Sequence, residues 1–258
     1  MNSVKLLAAM AIIGAAAALA APAPVVAASP AIKNIVLVHG AWADGSGWRA
    51  IYDILKKDGY NVRMVQNPLT SLADDVAATD RVLDRMDGPT ILVGHSYGGA
   101  VITEAGMHKK VVGLVYVEAF MPDKGESVFG LLPQDPNNPP PFDVSKDGFV
   151  FFNEAAYVPG FADSLPPADA EFLRDSQVPI ALKESGSTPL TAAAWKAKPS
   201  WYQTADADHV IPPPLQKMMY ERAKSTVQMV TGGHLAFIAH AAETAKLIET
   251  AARAAAQP

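Results

Sequence analysis

The chain has 258 residues, half of them apolar and 18% charged, with a formal net charge of -5. That length and apolar share suit one large α/β domain with a sizeable core. Mild acidity without a basic stripe argues against nucleic acid as a partner. The absence of cysteine removes disulfides, thiolate catalysis and Cys-ligated zinc.

In chain order, residues 1–28 read as a secretory signal peptide. Lys5 gives a positive start, Leu6 to Ala21 is an apolar run, and Val26-Ala27-Ala28 offers small residues for cleavage near Ala28. The run has 16 residues, fewer than the roughly 20 that span a bilayer. Pro22 and Pro24 then end any helix. The expectation is export, periplasmic or secreted, with residues 29–258 as the mature α/β domain. No other stretch approaches spanning length, so no membrane association is expected after cleavage.

Asn34 to Val38, continuously apolar from Ile35 on, reads as a strand buried on both faces of a parallel sheet. A glycine-rich loop, His39 to Gly47, leads into a helix over 48–57, with Ile51 and Leu55 on one face and Gly59 closing it. A strand over 61–65 and a helix over 71–86 follow. Ser71 suits the helix N-cap, and Asp74 and Asp75 its positive end. A strand over 90–93, a helix over 99–107 and a strand over 111–117 continue an alternation that implies a parallel sheet covered on both faces. Residues from about 120 to 190 break the pattern. They are rich in proline, as at Pro139-Pro140-Pro141, but also in aromatics such as Phe142, Phe149, Phe151, Phe152 and Phe161. A disordered linker would be poor in aromatics, so an ordered cap is expected, helical around 167–175. The core then resumes with a strand over 199–203, a helix over 212–223, a strand over 226–230 and a helix over 236–255.

Gly94-His95-Ser96-Tyr97-Gly98 matches G-x-S-x-G at a strand-to-helix junction, the context in which that motif carries a nucleophilic serine. The tight turn needs both glycines, because side chains there would collide with neighbouring backbone. A serine hydroxyl needs a base. Of the six histidines, His39 and His95 lie early and inside motifs, and His108 ends a helix. His209, His234 and His240 remain. His234, after Gly232-Gly233 at a strand's C-terminal end, sits where sites in open α/β sheets collect, whereas His240 lies inside the last expected helix. Asp206 and Asp208 both follow the 199–203 strand, and the chemistry alone barely separates them. The oxyanion hole needs two backbone donors: Tyr97 N–H, after the nucleophile, and Ala41 N–H, in the loop after the first strand.

These residues resemble the α/β-hydrolase superfamily, in the branch of plant methyl-ester esterases and hydroxynitrile lyases. Val36-Leu37-Val38-His39-Gly40-Ala41, Gly94 to Gly99, Asp208-His209-Val210-Ile211-Pro212 and Gly233-His234 carry the resemblance, which spans about 35 to 253 and is weak over 123–198. It implies an α/β-hydrolase fold with a mostly parallel sheet and a cap insertion, and it favours Asp208 over Asp206. The lyases of that branch carry Thr at the Gly40 position and Lys after the catalytic histidine, where Leu235 stands here. Both departures favour hydrolysis of small to medium lipophilic carboxylic esters over cyanohydrin cleavage. The expected triad is Ser96, Asp208 and His234, needing no metal or organic cofactor, with a small-molecule ester as partner and the oligomeric state left open. A lyase or cofactor-free oxygenase on the same triad, and a binding protein on the same scaffold, are the alternatives.

Overall fold

The structure, a computed structural model, describes residues 32–256 except 135 and 138. The expected leader, residues 1–28, lies outside the described residues. Strand β1 (Asn34–Val38) is buried at every position, as its unbroken apolar run requires. A 3-10 turn at Gly45–Trp48 leads into α1 (Arg49–Lys57), which buries Ile51 and Leu55. Gly59, at φ +84, lets the chain reverse into β2 (Asn61–Met64). The Ser71 hydroxyl accepts the Asp74 N–H and so caps α2 (Leu72–Asp84). Strand β3 (Thr90–Ser96) runs directly into α3 (Gly98–Ala105), and β4 (Val111–Ala119) follows.

Between Ala119 and Ser200 the chain forms a separate layer. It comprises α4 (Val128–Leu131), β5 (Phe142–Val144), β6 (Phe149–Phe152), α5 (Glu154–Gly160), α6 (Pro167–Asp175) and β7 (Ile180–Ala181). The three strands make a small antiparallel sheet, which the proline-rich sequence does not announce. Its aromatic residues close over Trp42. The Phe142, Phe152 and Phe161 rings lie 4.9, 5.3 and 5.9 Å from the Trp42 ring, centre to centre. Trp42 N–H also donates to Val178 O at 3.0 Å, its indole N–H to Val150 O at 2.9 Å, and Tyr157 O–H donates to Trp42 O at 3.0 Å. The cap is thus bolted to the loop after β1.

The core resumes with β8 (Ser200–Ala205), α7 (Pro213–Ala223) and β9 (Thr226–Val230). The six core strands pair in the order β2-β1-β3-β4-β8-β9, every pairing parallel. The single helix expected over 236–255 is two, α8 (Ala236–Ala239) and α9 (Ala241–Ala254). His240 sits at the break, at φ -107 and ψ 41, not inside a helix, and its Nε2–H donates to Thr231 O at 2.9 Å. Helices α1 and α9 pack together on one face of the sheet, and α2 and α3 on the other. Among the described residues no helix is long and apolar enough to cross a membrane.

Candidate active site

In a parallel sheet all strands end on the same edge, and the loops there collect chemistry. Ser96 is the last residue of β3 and adopts φ +53, a left-handed conformation that a non-glycine residue holds only under constraint. The constraint is close packing. A Cβ on Gly94 would lie 2.5 Å from Gly98 O, one on Gly98 would lie 2.6 Å from Val38 O, and one on Gly99 would lie 2.0 Å from Phe120 O. Only glycines let α3 start this close to β1 and β4 and lift the serine above the sheet.

Three loops bring their side chains to Ser96. His234, in the loop after β9, places Nε2 2.8 Å from Ser96 Oγ and Nδ1 2.9 Å from Asp208 Oδ2. Asp208, in the loop after β8, is fixed from the other side. Its Oδ1 accepts the N–H groups of Val210 and Ile211 at 2.8 and 2.9 Å, and its Oδ2 also accepts Gln216 Nε2–H at 2.8 Å. All three side chains are buried. With Nδ1–H given to Asp208, the imidazole turns a bare Nε2 toward the serine, the tautomer a base needs. Asp206 is exposed and accepts Gly232 N–H at 2.9 Å, which makes it a turn anchor. His209 is exposed as well.

The two expected oxyanion donors, Ala41 and Tyr97, lie in the turn after β1 and directly after Ser96. A Cβ on Gly40 would stand 2.6 Å from Ser96 Cβ, so the turn that carries Ala41 lies directly against the elbow. Among the described residues, neither Ala41 N–H nor Tyr97 N–H donates to another protein group. Trp42 N–H, the next donor along, is already committed to the cap.

Several residues support the triad, and their roles are not legible from the motifs around them. His95 is buried and its Nε2–H donates to His234 O at 3.0 Å. Burial, helped by the neighbouring His234, pushes the His95 pKa well below the usual histidine value, which keeps it neutral. His39 Nδ1–H donates to Gly40 O at 2.7 Å while its Nε2 accepts Asn67 N–H at 2.9 Å, and burial lowers its pKa too. Phe161 of the cap lies 5.0 Å from the His234 ring, and Ser164 Oγ accepts Gly233 N–H at 2.8 Å. Glu118, beyond Gln203 and near Asp208, is wholly buried at φ +40, and burial pushes its carboxyl well above the usual range. Apart from the adjacent His39 and Gly40, partners 28 to 139 residues apart in sequence leave no local pattern to read.

A pocket lined by Ala41, Trp42, Ser96, Tyr97, Phe129 and Phe142 has about 10 Å³ of free space, room for about one water. Leu132, Phe142 and Val210 also line an outer cavity of about 300 Å³, half of whose lining residues are prolines of the cap and of the loop before α7.

The chain is similar to several known proteins. The carbendazim hydrolyzing esterase of a Nocardioides species is 36% identical over 117 residues, 40% of this chain and 48% of that protein, so the chain matches about half of that relative's length. The pyrethroid hydrolase of Sphingobium wenxiniae is 28% identical across 78% of this chain and 80% of its own. The crystal structure of polyneuridine aldehyde esterase superposes with a TM-score of 0.72 at 18% identity, covering 84% of this chain and 97% of that one, and shows the same fold. The model of the alpha/beta hydrolase family matches residues 35–247, and the chain belongs to that family.

Proposed function

We propose that this protein is a carboxylic-ester hydrolase that works through an acyl-enzyme on Ser96. One observation carries the proposal: the unbroken buried relay from Ser96 Oγ through His234 to Asp208, beside two uncommitted backbone N–H groups. His234 Nε2 takes the hydroxyl proton as Ser96 Oγ bonds to the acyl carbon. Ala41 and Tyr97 N–H groups hold the resulting oxyanion, each donor worth roughly 10²–10³ in rate. As the bond from the acyl carbon to the alcohol oxygen breaks, His234 returns the proton to that oxygen and the alcohol leaves. Water then gives a proton to His234 and adds to the acyl carbon. Collapse releases the acid and restores Ser96–OH.

The apolar lining of the inner pocket, which includes Trp42, Phe120, Phe129 and Phe142, supports small to medium lipophilic esters as the substrate class. With room for one water at rest, the pocket admits an acyl group by outward movement of Phe142 and Leu132, two of the three residues shared with the outer cavity. Leu235, buried and apolar, puts no charged group next to His234, in keeping with hydrolysis over cyanohydrin cleavage. Export remains our proposal for the location, supported by the composition of residues 1–28; cell fractionation tests it.

The deciding experiment is hydrolysis of p-nitrophenyl acetate and butyrate by residues 29–258 and by Ser96→Ala, with fluorophosphonate labelling of both. Activity and label that vanish together in the variant support the proposal. Activity retained in Ser96→Ala refutes it.

A further inference from the structure

The hydrolytic reading of the site leaves one buried acid unused. Asp75, in the first turn of α2, is wholly buried and, among the described residues, has no cationic partner. Its Oδ2 accepts the Tyr97 phenol O–H at 2.7 Å, and its Oδ1 accepts the Leu69 N–H at 2.8 Å. Tyr97 follows the nucleophile and carries one oxyanion donor. Leu69 lies in the loop between β2 and α2 at φ +58, a conformation that needs holding. Two residues earlier, Asn67 N–H donates to His39 Nε2 at 2.9 Å and Asn67 Nδ2–H to His39 O at 2.8 Å. His39 in turn fixes the Gly40 carbonyl, and the next N–H in the chain is that of Ala41.

Resting on that reading, we propose that Asp75 is a positioning residue for the oxyanion hole, holding Tyr97 directly and the His39–Gly40–Ala41 turn through Leu69 and Asn67. The same loop meets the cap: Leu69 O accepts Ala181 N–H at 2.9 Å and Ser185 Oγ–H at 3.4 Å. Both donors and the cap strand β7 therefore share one support. Two facing donors explain the choice of residue. Tyr97 O–H and Leu69 N–H both need acceptors, and an ionised carboxylate offers two, whereas an amide offers one oxygen. Burial pushes the Asp75 carboxyl up to about 6. An unpaired buried charge costs stability, so its place against two oxyanion supports fits a functional use.

The test compares wild type, Asp75→Asn, Tyr97→Phe and the double variant. It reads kcat and KM for p-nitrophenyl acetate, the Ki of a trifluoromethyl ketone, and the melting temperature. The ketone forms a tetrahedral adduct whose oxygen occupies the oxyanion hole. A misaimed donor forfeits part of its value, so each single variant should lose at least about 10-fold in kcat with KM within about twofold. The ketone should weaken by the same factor as kcat/KM. The double variant should be no worse than the more damaged single, since both act through one support. Tyr97→Phe removes a single hydroxyl and keeps the test open should Asp75→Asn misfold. Unchanged kcat in the folded variants, or a KM rise with kcat intact, overturns the inference. So do losses that multiply in the double variant. Fluorophosphonate labelling of wild-type Ser96 separates the two ideas. Labelled enzyme with indifferent variants refutes the role of Asp75 alone, and unlabelled, inactive wild type refutes the hydrolytic reading as well.

Discussion

Replacing Asp208 by Asn should disarm the serine without disturbing the fold. Asp208 faces only donors: two backbone N–H groups at Oδ1, and Gln216 Nε2–H with His234 Nδ1–H at Oδ2. The backbone pair cannot turn away, so the amide oxygen of the variant must stay on the Oδ1 side. Its NH₂ then meets Gln216 and His234. Gln216 is not free to flip, because its Oε1 accepts Thr204 O–H at 2.8 Å and its Nε2 also donates to Ile211 O at 2.7 Å. His234 is left to respond, moving its proton to Nε2 so that Nδ1 can accept. A protonated Nε2 then faces Ser96 Oγ, and no base remains. The same exchange in serine proteases costs about 10⁴ in kcat, or about 5 kcal/mol of transition-state stabilisation, and that loss is expected here. The assay is kcat for p-nitrophenyl acetate, with circular dichroism melting to verify folding. A folded Asp208→Asn within about 10-fold of wild type would sink the tautomer argument and the assignment of Asp208 with it.

Asp206→Ala is the matched control. It removes one exposed hydrogen bond to Gly232 N–H, so unfolding in urea should show a loss of about 0.5–1.5 kcal/mol while kcat stays within about threefold. Gly40→Ala puts a methyl 2.6 Å from Ser96 Cβ and 3.1 Å from His95 O, and the elbow has no slack to yield. It should displace a donor and cost at least about 10²-fold in kcat; wild-type turnover in that variant would mean the turn does not abut the serine. Stability should also carry the mark of Asp75. Its pKa rises from 3.8 to about 6 through burial, against the lowering effect of Tyr97 and Leu69, with Asp74 on the same helix adding to the rise. The protonated form is favoured in the fold, so its contribution is full below pH 3.8 and lost as pH rises through about 6. The unfolding free energy of Asp75→Asn relative to wild type should therefore grow by about 2.5 kcal/mol between pH 4 and pH 7.5. A difference that stays flat with pH would refute it.

Much of this was legible because chemistry at the elbow is local. Gly94, Ser96 and Gly98 sit within five residues, and strands such as Asn34–Val38 and Thr226–Val230 declare themselves by unbroken or well-bounded runs. The His234 position followed from order along the chain. Asp206 and Asp208 are not separable from residue chemistry, since both follow the same strand; the resemblance favours Asp208, and the convergence of His234 and three further donors on it tells them apart. The cap sheet was hidden because its strands are two to four residues long, too short for a period to show. The break at His240 was hidden because alanine flanks it on both sides, and local propensity runs straight through. Asp75 reads in the sequence as an ordinary acid at a helix start. Its tie to Tyr97 exists only once α2 lies against the elbow.

The left-handed backbone of Ser96 has an evolutionary consequence. A side chain held at φ +53 costs about 1–3 kcal/mol that glycine at the same position would not. A gene copy relieved of its duty to turn over substrate would therefore gain stability by drifting to glycine there, since the packing around Gly94, Gly98 and Gly99 already preserves the turn. Within this family, persistence of an alcohol side chain at that place records selection for turnover, and its replacement by glycine marks a lineage that has kept the scaffold and given up the reaction.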